Sequence, residues 1–88
     1  MKDKQLRLCV DGMSRTDQQD DELSLVVAQA LGTPAGKQVL KYLRSITIEM
    51  VNGPNVDNDT LRHAEGQRYI VGLLEARVAH GNKVKSDE

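Results

Sequence analysis

The sequence contains neither tryptophan nor phenylalanine, and two tyrosines are its only aromatic residues. Because aromatic side chains supply much of the buried area of cores and interfaces, any core here has to be built from Leu, Val, Ile and Met. A chain of 88 residues also has few side chains to bury, and a domain of that size is only marginally stable by itself. The composition therefore indicates one small domain and is compatible with an obligate partner.

Cysteine and long apolar runs are also scarce. The single cysteine, Cys9, excludes an internal disulfide, and no apolar run is long enough for a signal peptide or a membrane span. Twelve basic and thirteen acidic residues give a net charge of −1, which argues against a surface devoted as a whole to nucleic acid. We therefore expect a chain made in a cytosol and having no membrane partner.

The N-terminal residues 1–15 show only a thin pattern. Leu6, Leu8 and Val10 alternate with other residues, and Asp11-Gly12 is a turn signal. This pattern is typical of a short strand or of an extended arm, and we favour the arm because no second run clearly pairs with it. A polar tail is expected at residues 82–88, which leaves residues 16–81 as the domain.

Two helices are expected in the first half of that domain. Thr16 and Gln19 form a capping box ahead of a helix at residues 17–31, which should end at Gly32 in a left-handed conformation. Thr33 should cap a second helix, which has Pro34 at its first position and extends over residues 34–51. Residues 46–50 also alternate like a strand, but the helical spacing continues from Val39. The two-residue connection predicts a tight helical corner.

A third helix is expected at residues 59–80, with Gly81 as its stop. The fold class predicted is all-α: a small three-helix domain with a tight corner between the first two helices, plus an N-terminal extended arm. The predicted core of this domain consists of Leu23, Val27, Leu31, Val39, Leu43, Ile46, Ile70, Leu74 and Val78.

The third helix contains two glycines, each of which costs roughly 1 kcal/mol relative to alanine. Gly66 lies near the core boundary, where a close crossing with the second helix would reward a missing side chain. On the face opposite the core, small residues flanked by charged ones predict a contact with another chain, while the alternative is that they form an ordinary helix surface. The predicted interface residues are Glu65, Arg68, Gly72, Ala76 and Ala79.

Catalytic and metal-binding patterns are not found. The segment Gly32–Lys37 has the wrong glycine spacing for a phosphate loop, and His63 and His80 lack partners at metal-ligand spacing. We therefore predict no enzyme activity, no catalytic residue, no cofactor and no metal. One basic stripe on the second helix, Lys37, Lys41 and Arg44, leaves weak and salt-sensitive DNA binding as an alternative.

Two segments carry a family resemblance. The first is Thr33-Pro34-x-Gly36-x-x-Val39-Leu40, and the second is Glu65-Gly66-x-Arg68 on the last predicted helix. Together they resemble a family of small proteins of tailed bacteriophages, known first from a Bordetella phage.

The resemblance implies a gene located among head, portal and DNA-packaging genes. It therefore implies a virion or assembly component, found in the phage particle or in the host cytoplasm. Two functions follow as hypotheses: a structural or assembly protein that contacts portal, connector or capsid proteins or copies of itself, and a DNA-binding packaging factor of the small-terminase type.

Overall fold

A computed structural model describes residues 5–87, which form an N-terminal hairpin followed by three helices. The strands are β1 (Leu6–Leu8) and β2 (Ser14–Thr16), and the helices are α1 (Asp17–Leu31), α2 (Pro34–Ser45) and α3 (Asn58–Ser86). The expectation of a largely all-α chain with three helices is confirmed.

The N-terminal segment is a hairpin, so the prediction of an unpaired arm is wrong for the residues described. β1 pairs with β2 in an antiparallel ladder that places Leu6 opposite Thr16. The turn between them uses Gly12 at φ 84°, a conformation that favours glycine. The second strand reads Ser-Arg-Thr and carries no apolar alternation, which is why its pairing leaves no trace in the sequence pattern.

α1 begins as the sequence predicts. The Thr16 hydroxyl accepts from the Gln19 amide and the Gln19 side chain accepts from the Thr16 amide, which completes the capping box. The face that α1 turns inward is centred on Ser24, which is fully buried, whereas Val26 is exposed. This small polar residue lets the backbone of α1 approach α3 closely.

The corner between α1 and α2 is tight, as expected, and Thr33 caps α2 by accepting from the Gly36 amide at 3.0 Å. Gly32 is right-handed, at φ −86°, so the left-handed conformation predicted for it is wrong. The chain instead changes direction at Thr33, which is extended at φ −74° and ψ 163°.

Removing the Thr33 hydroxyl tests this cap. Thr33→Ala should lower the free energy of unfolding by about 1 kcal/mol, because the Gly36 amide loses its acceptor. Urea denaturation followed by circular dichroism measures the change. Thr33→Ser keeps the hydroxyl and should retain most of the stability; an equal loss in both variants would contradict the capping role.

α2 ends at Ser45, six residues before its predicted end. The following β-branched residues Ile46, Thr47 and Ile48 disfavour helix, and the Thr47 hydroxyl donates to the Leu43 carbonyl at 2.6 Å. Residues 46–49 form turns instead.

The inward face of α2 is also shifted by one residue relative to the prediction. Leu40 is buried, Leu43 is half-buried, and Val39 and Ile46, both predicted to lie in the core, are exposed. The physical reason is Gly36, which packs so closely on the end of α1 that an added Cβ would lie 2.5 Å from the Leu31 Cα. This contact fixes the rotation of α2.

α3 is longer than predicted and continues to Ser86, through the expected stop and the expected tail. Its start is as expected, because the Asp57 carboxylate accepts from the Thr60 amide at 2.7 Å. Gly81 lies buried inside the helix, where an added Cβ would lie 2.2 Å from the Ser24 carbonyl oxygen. The glycine therefore serves a close crossing with α1 rather than a helix end.

The helices cover each other only in part. Ile70, predicted to lie in the core, is 55% exposed, and Gly66 has no atom near the position of an added Cβ. Among the described residues, the expected close crossing at Gly66 is therefore absent. The radius of gyration is 15.7 Å, whereas a compact chain of this length has about 12 Å.

Candidate functional surfaces

A buried polar cluster joins α1 to the second half of α3. Arg77 is 5% exposed, and its Nη1 donates to the Ser24 Oγ at 2.9 Å and to the Asp20 carboxylate. The His80 Nδ1 lies 2.7 Å from the same Ser24 Oγ. The cluster thus places hydrogen bonds and an ion pair between α1 and α3.

The same cluster holds the hairpin. Asp11, in the hairpin turn, accepts from the Arg15 Nη1 at 2.9 Å and lies 3.6 Å from the Arg77 Nη2. The hydrogen bond from Arg15, followed by that from the Met13 amide, lowers the pKa of Asp11 to about 2. Arg77 therefore connects the hairpin, α1 and α3 through a single guanidinium.

This arrangement suits holding elements together more than reactive chemistry. Burial alone would raise the pKa of Asp20, but the hydrogen bonds from Arg77 and Cys9 outweigh burial and lower it. Asp20, Asp21 and His80 offer ligand atoms within 4.8 Å of one another, which is close enough for a metal ion. The Arg77 guanidinium already supplies the positive charge at Asp20, so nothing beyond this proximity favours a cation.

Little in the sequence indicates this cluster. Arg77 and Ser24 are 53 positions apart, and no local pattern pairs them. The one usable signal is Gly81, because a glycine inside a long helix often marks a close approach of another backbone.

Acid should weaken the attachment of the hairpin. The pKa of Asp11 is about 2 in the fold and about 3.9 in an unfolded chain, so its contribution is present above pH 4 and is lost as the pH falls through 2. The free energy of unfolding should therefore fall over this range, and less steeply in Asp11→Asn. Urea denaturation between about pH 2 and pH 5 measures both slopes; identical slopes would contradict the role of Asp11.

The predicted interface face runs along α3 between Glu65 and Ala79. Glu65, Ala76 and Ala79 are exposed, and Gly72 is half-buried with open space beside it. Arg68 differs, because its Nε and Nη2 donate to the Thr47 and Met50 carbonyls at 3.1 and 2.9 Å. Arg68 thus fixes the chain after α2, and the small residues remain the accessible part of this face.

One residue of the basic stripe, Arg44, is held in ion pairs. Lys37 and Lys41 are exposed on α2, but the Arg44 Nη1 lies 2.8 Å from Glu75 and its Nε lies 3.3 Å from Glu49. Two carboxylates thus surround the third cation of the stripe. Only the two lysines remain for phosphate contacts.

A groove of about 630 Å³ lies between the end of α2 and the first half of α3. Its walls are mainly apolar, and Gly66 leaves part of its floor without a side chain. The groove is lined by Leu43, Ile46, Thr47, Arg62, His63, Gly66, Gln67, Ile70, Val71 and Leu74.

None of the helices described here combines the length and the apolar composition needed to cross a bilayer. No curated protein and no solved structure matches the chain. The profile of the Bbp19-like phage proteins matches residues 27–84, from the middle of α1 to near the end of α3. This range contains both segments, Thr33–Leu40 and Glu65–Arg68, on which the resemblance rested, and it excludes the hairpin. The chain therefore belongs to the Bbp19-like phage protein family.

Proposed function

We propose that this protein is a non-enzymatic structural or assembly component of the phage particle, an accessory of the head, the portal or DNA packaging. It acts by contacts that its helices make with other phage proteins or with further copies of itself. The observation that carries this proposal is the amount of surface that the chain leaves unburied.

That amount is large for a chain of this mass. The accessible surface is 6726 Å², whereas a compact globular protein of 9.7 kDa exposes about 5,100 Å². The excess of about 1,600 Å² per chain exceeds the roughly 800 Å² that each partner buries in a standard interface.

The exposed surface includes many apolar side chains, while Leu40 and Val71 are the buried hydrophobic residues of the described chain. So small a core offers little of the stability that folded domains need. Large hydrophobic residues are exposed at Leu6, Leu8, Val10, Met13, Val26, Val39, Tyr42, Ile46, Met50, Val51, Tyr69 and Ile70. A protein that functions by binding other proteins would bury these apolar side chains in its interfaces.

The chemistry of the buried cluster also supports a contact role. Ser24 has a hydroxyl of the kind that nucleophilic enzymes use, but it is fully buried and could not reach a substrate. Asp20 is paired with Arg77, which leaves it poorly suited to act as a general base.

The packaging-factor alternative depends on DNA binding by α2. With Arg44 held by Glu75 and Glu49, two lysines would supply few of the phosphate contacts on which such binding depends. Retention on duplex DNA that weakens steeply as salt is added, and that is lost in the double variant Lys37→Ala and Lys41→Ala, would favour the alternative.

We assign the contact with another phage protein to the small-residue face, which includes Gly72, Ala76 and Ala79. A Cβ added at Gly72 meets no atom of the described residues, so Gly72→Lys should leave the fold intact while preventing close approach by a partner helix. Its incorporation into particles should fall relative to wild type.

Mass spectrometry of purified particles and of empty heads from the source phage tests the function. The protein should be present in at least one of these assemblies, and deletion of its gene should lower the yield of filled particles. Absence from both assemblies, together with an unchanged particle yield in the deletion, would overturn the proposal.

A further inference from the structure

We infer that the groove between α2 and α3 is the surface through which two copies of this chain pair, with α3 of each copy in the groove of the other. This inference rests on the proposed contact role and names the first partner as a second copy. It concerns the side of α3 opposite the small-residue face.

One face of α3 is covered along only part of its length. Gly66, Ile70, Leu74, Arg77 and Gly81 follow one another at spacings of three or four residues, which places them on one side of a helix. α1 covers the second half of this side, where Arg77 and Gly81 are buried. Gly66 and Ile70, in the first half, are exposed. The side therefore lacks a covering helix over its first half.

The two glycines on this side, Gly66 and Gly81, show how closely a covering helix can approach α3. At Gly81 the backbone of α1 lies so close that an added Cβ would meet the Ser24 carbonyl oxygen at 2.2 Å. At Gly66 no atom of residues 5–87 lies within 4 Å of an added Cβ, although the helix carries the same residue type. A helix of a second copy crossing at Gly66 would make the approach that α1 makes at Gly81.

The walls of the groove are suited to a helix. Ile46, directly after α2, and Ile70 on α3 are about half exposed, and Leu43 and Leu74 lie deeper between them. If two α3 helices cross in antiparallel at Gly66, Arg62 lies four residues on one side of the crossing and Ile70 four residues on the other. The aliphatic part of Arg62 would then cover Ile70 of the second copy.

The unburied area agrees in size with what a second copy would cover. Obligate homodimers bury about 2,000–5,000 Å² in total, or about 1,000–2,500 Å² per chain. The excess surface of about 1,600 Å² per chain, relative to a compact protein of the same mass, lies within that range. A net charge of −1 per chain adds little repulsion between copies.

The pairing has two-fold symmetry, in which each copy offers the same patch to the other. The result is a layer of four helices, α2 and α3 from each copy, in which Ile46 and Ile70 become buried. Pairing therefore supplies the core that the first half of α3 lacks in a single chain.

Sedimentation velocity of the purified full chain tests the pairing, since the wild-type protein should have twice the mass of one chain, 9.7 kDa. Gly66→Lys places two like charges at the crossing and should raise the dimer dissociation constant by at least about 100-fold. The matched control is Gly72→Lys, the same substitution on the opposite side of the same helix, also in open space. This control should keep the wild-type mass.

Far-ultraviolet circular dichroism should show that both lysine variants remain helical. Ile70→Ser supplies a second variant, which removes apolar surface from the groove without adding bulk, and it should also weaken the dimer. A wild-type monomer at about 100 μM, wild-type affinity in Gly66→Lys, or equal weakening by Gly72→Lys would overturn the inference. A monomer found in particles would overturn this inference alone. A dimer that is absent from all assemblies, and whose deletion leaves the particle yield unchanged, would overturn the proposed function alone.

Discussion

Gly81→Ala should destabilise the fold by about 3 kcal/mol, the upper end of what overpacking costs in a rigid core. The added methyl would lie 2.2 Å from the Ser24 carbonyl oxygen and 2.6 Å from the Ala28 Cβ. The nearest atom belongs to backbone, so the collision cannot be relieved by turning a side chain. α1 would have to move away from α3, and this movement would stretch the hydrogen bonds of Arg77.

Alanine also favours helix over glycine by about 1 kcal/mol, which acts against the expected loss. The control Gly72→Ala isolates this term, because no atom lies within 4 Å of the added methyl there. Urea denaturation should therefore show the Gly72 variant at least as stable as wild type and the Gly81 variant clearly less stable. Equal stability of the two variants would show that the backbone of α1 does not lie in close contact with Gly81.

Arg77→Met should lower the free energy of unfolding by about 2–4 kcal/mol, because removing one partner of a buried ion pair leaves the remaining charge without compensation. The Ser24 hydroxyl and the Asp20 carboxylate both lose the hydrogen bond from Arg77, and Asp11 loses a nearby positive charge. Methionine keeps the apolar part of the side chain, so the loss reports mainly the missing guanidinium.

Arg44→Met is the matched control for this variant. Arg44 also faces two carboxylates, Glu49 and Glu75, but its side chain is 42% exposed, so the loss should remain below about 1 kcal/mol. Hydrogen exchange gives a second readout. The Cys9 amide, which donates to the Met13 carbonyl in the hairpin, should exchange faster in Arg77→Met than in Arg44→Met. Equal losses and equal exchange in both would contradict the central role of Arg77.

The parts of the fold that the sequence predicts well are local. The caps at Thr16 and Thr33 depend on residues three positions away, and both are found in the structure. The bounds of α1 match for the same reason. Such signals are complete within one turn of helix and do not depend on what the helix packs against.

The rotation of the helices could not be read from apolar spacing. Spacing placed Val39 and Ile70 in the core, and both are exposed. The rotation is fixed by close contacts between elements, at Gly36 against α1 and at Gly81 against Ser24. A pattern that scores only apolar residues misses such contacts because their participants are glycine and serine.

The candidate surfaces also combine local features, which the sequence indicates, with features that depend on packing. The spacing of Lys37, Lys41 and Arg44 indicates a helix stripe, but the ion pair of Arg44 with Glu75 joins residues 31 positions apart. The groove arises because the first half of α3 extends beyond α1, a fact that depends on packing. The sequence marks Gly66 as unusual, although the described residues do not form the crossing expected there.

The buried cluster also has a consequence for the order in which the chain can fold during synthesis. Asp20 meets a partner that lies 57 positions later, and ribosomes add about 5–20 residues per second. For several seconds, therefore, the hairpin and α1 exist without the guanidinium that joins them. In a nascent or truncated chain that ends before Arg77, the N-terminal third lacks the guanidinium that pairs with Asp11 and Asp20. This third therefore becomes stable only after the last helix has been made.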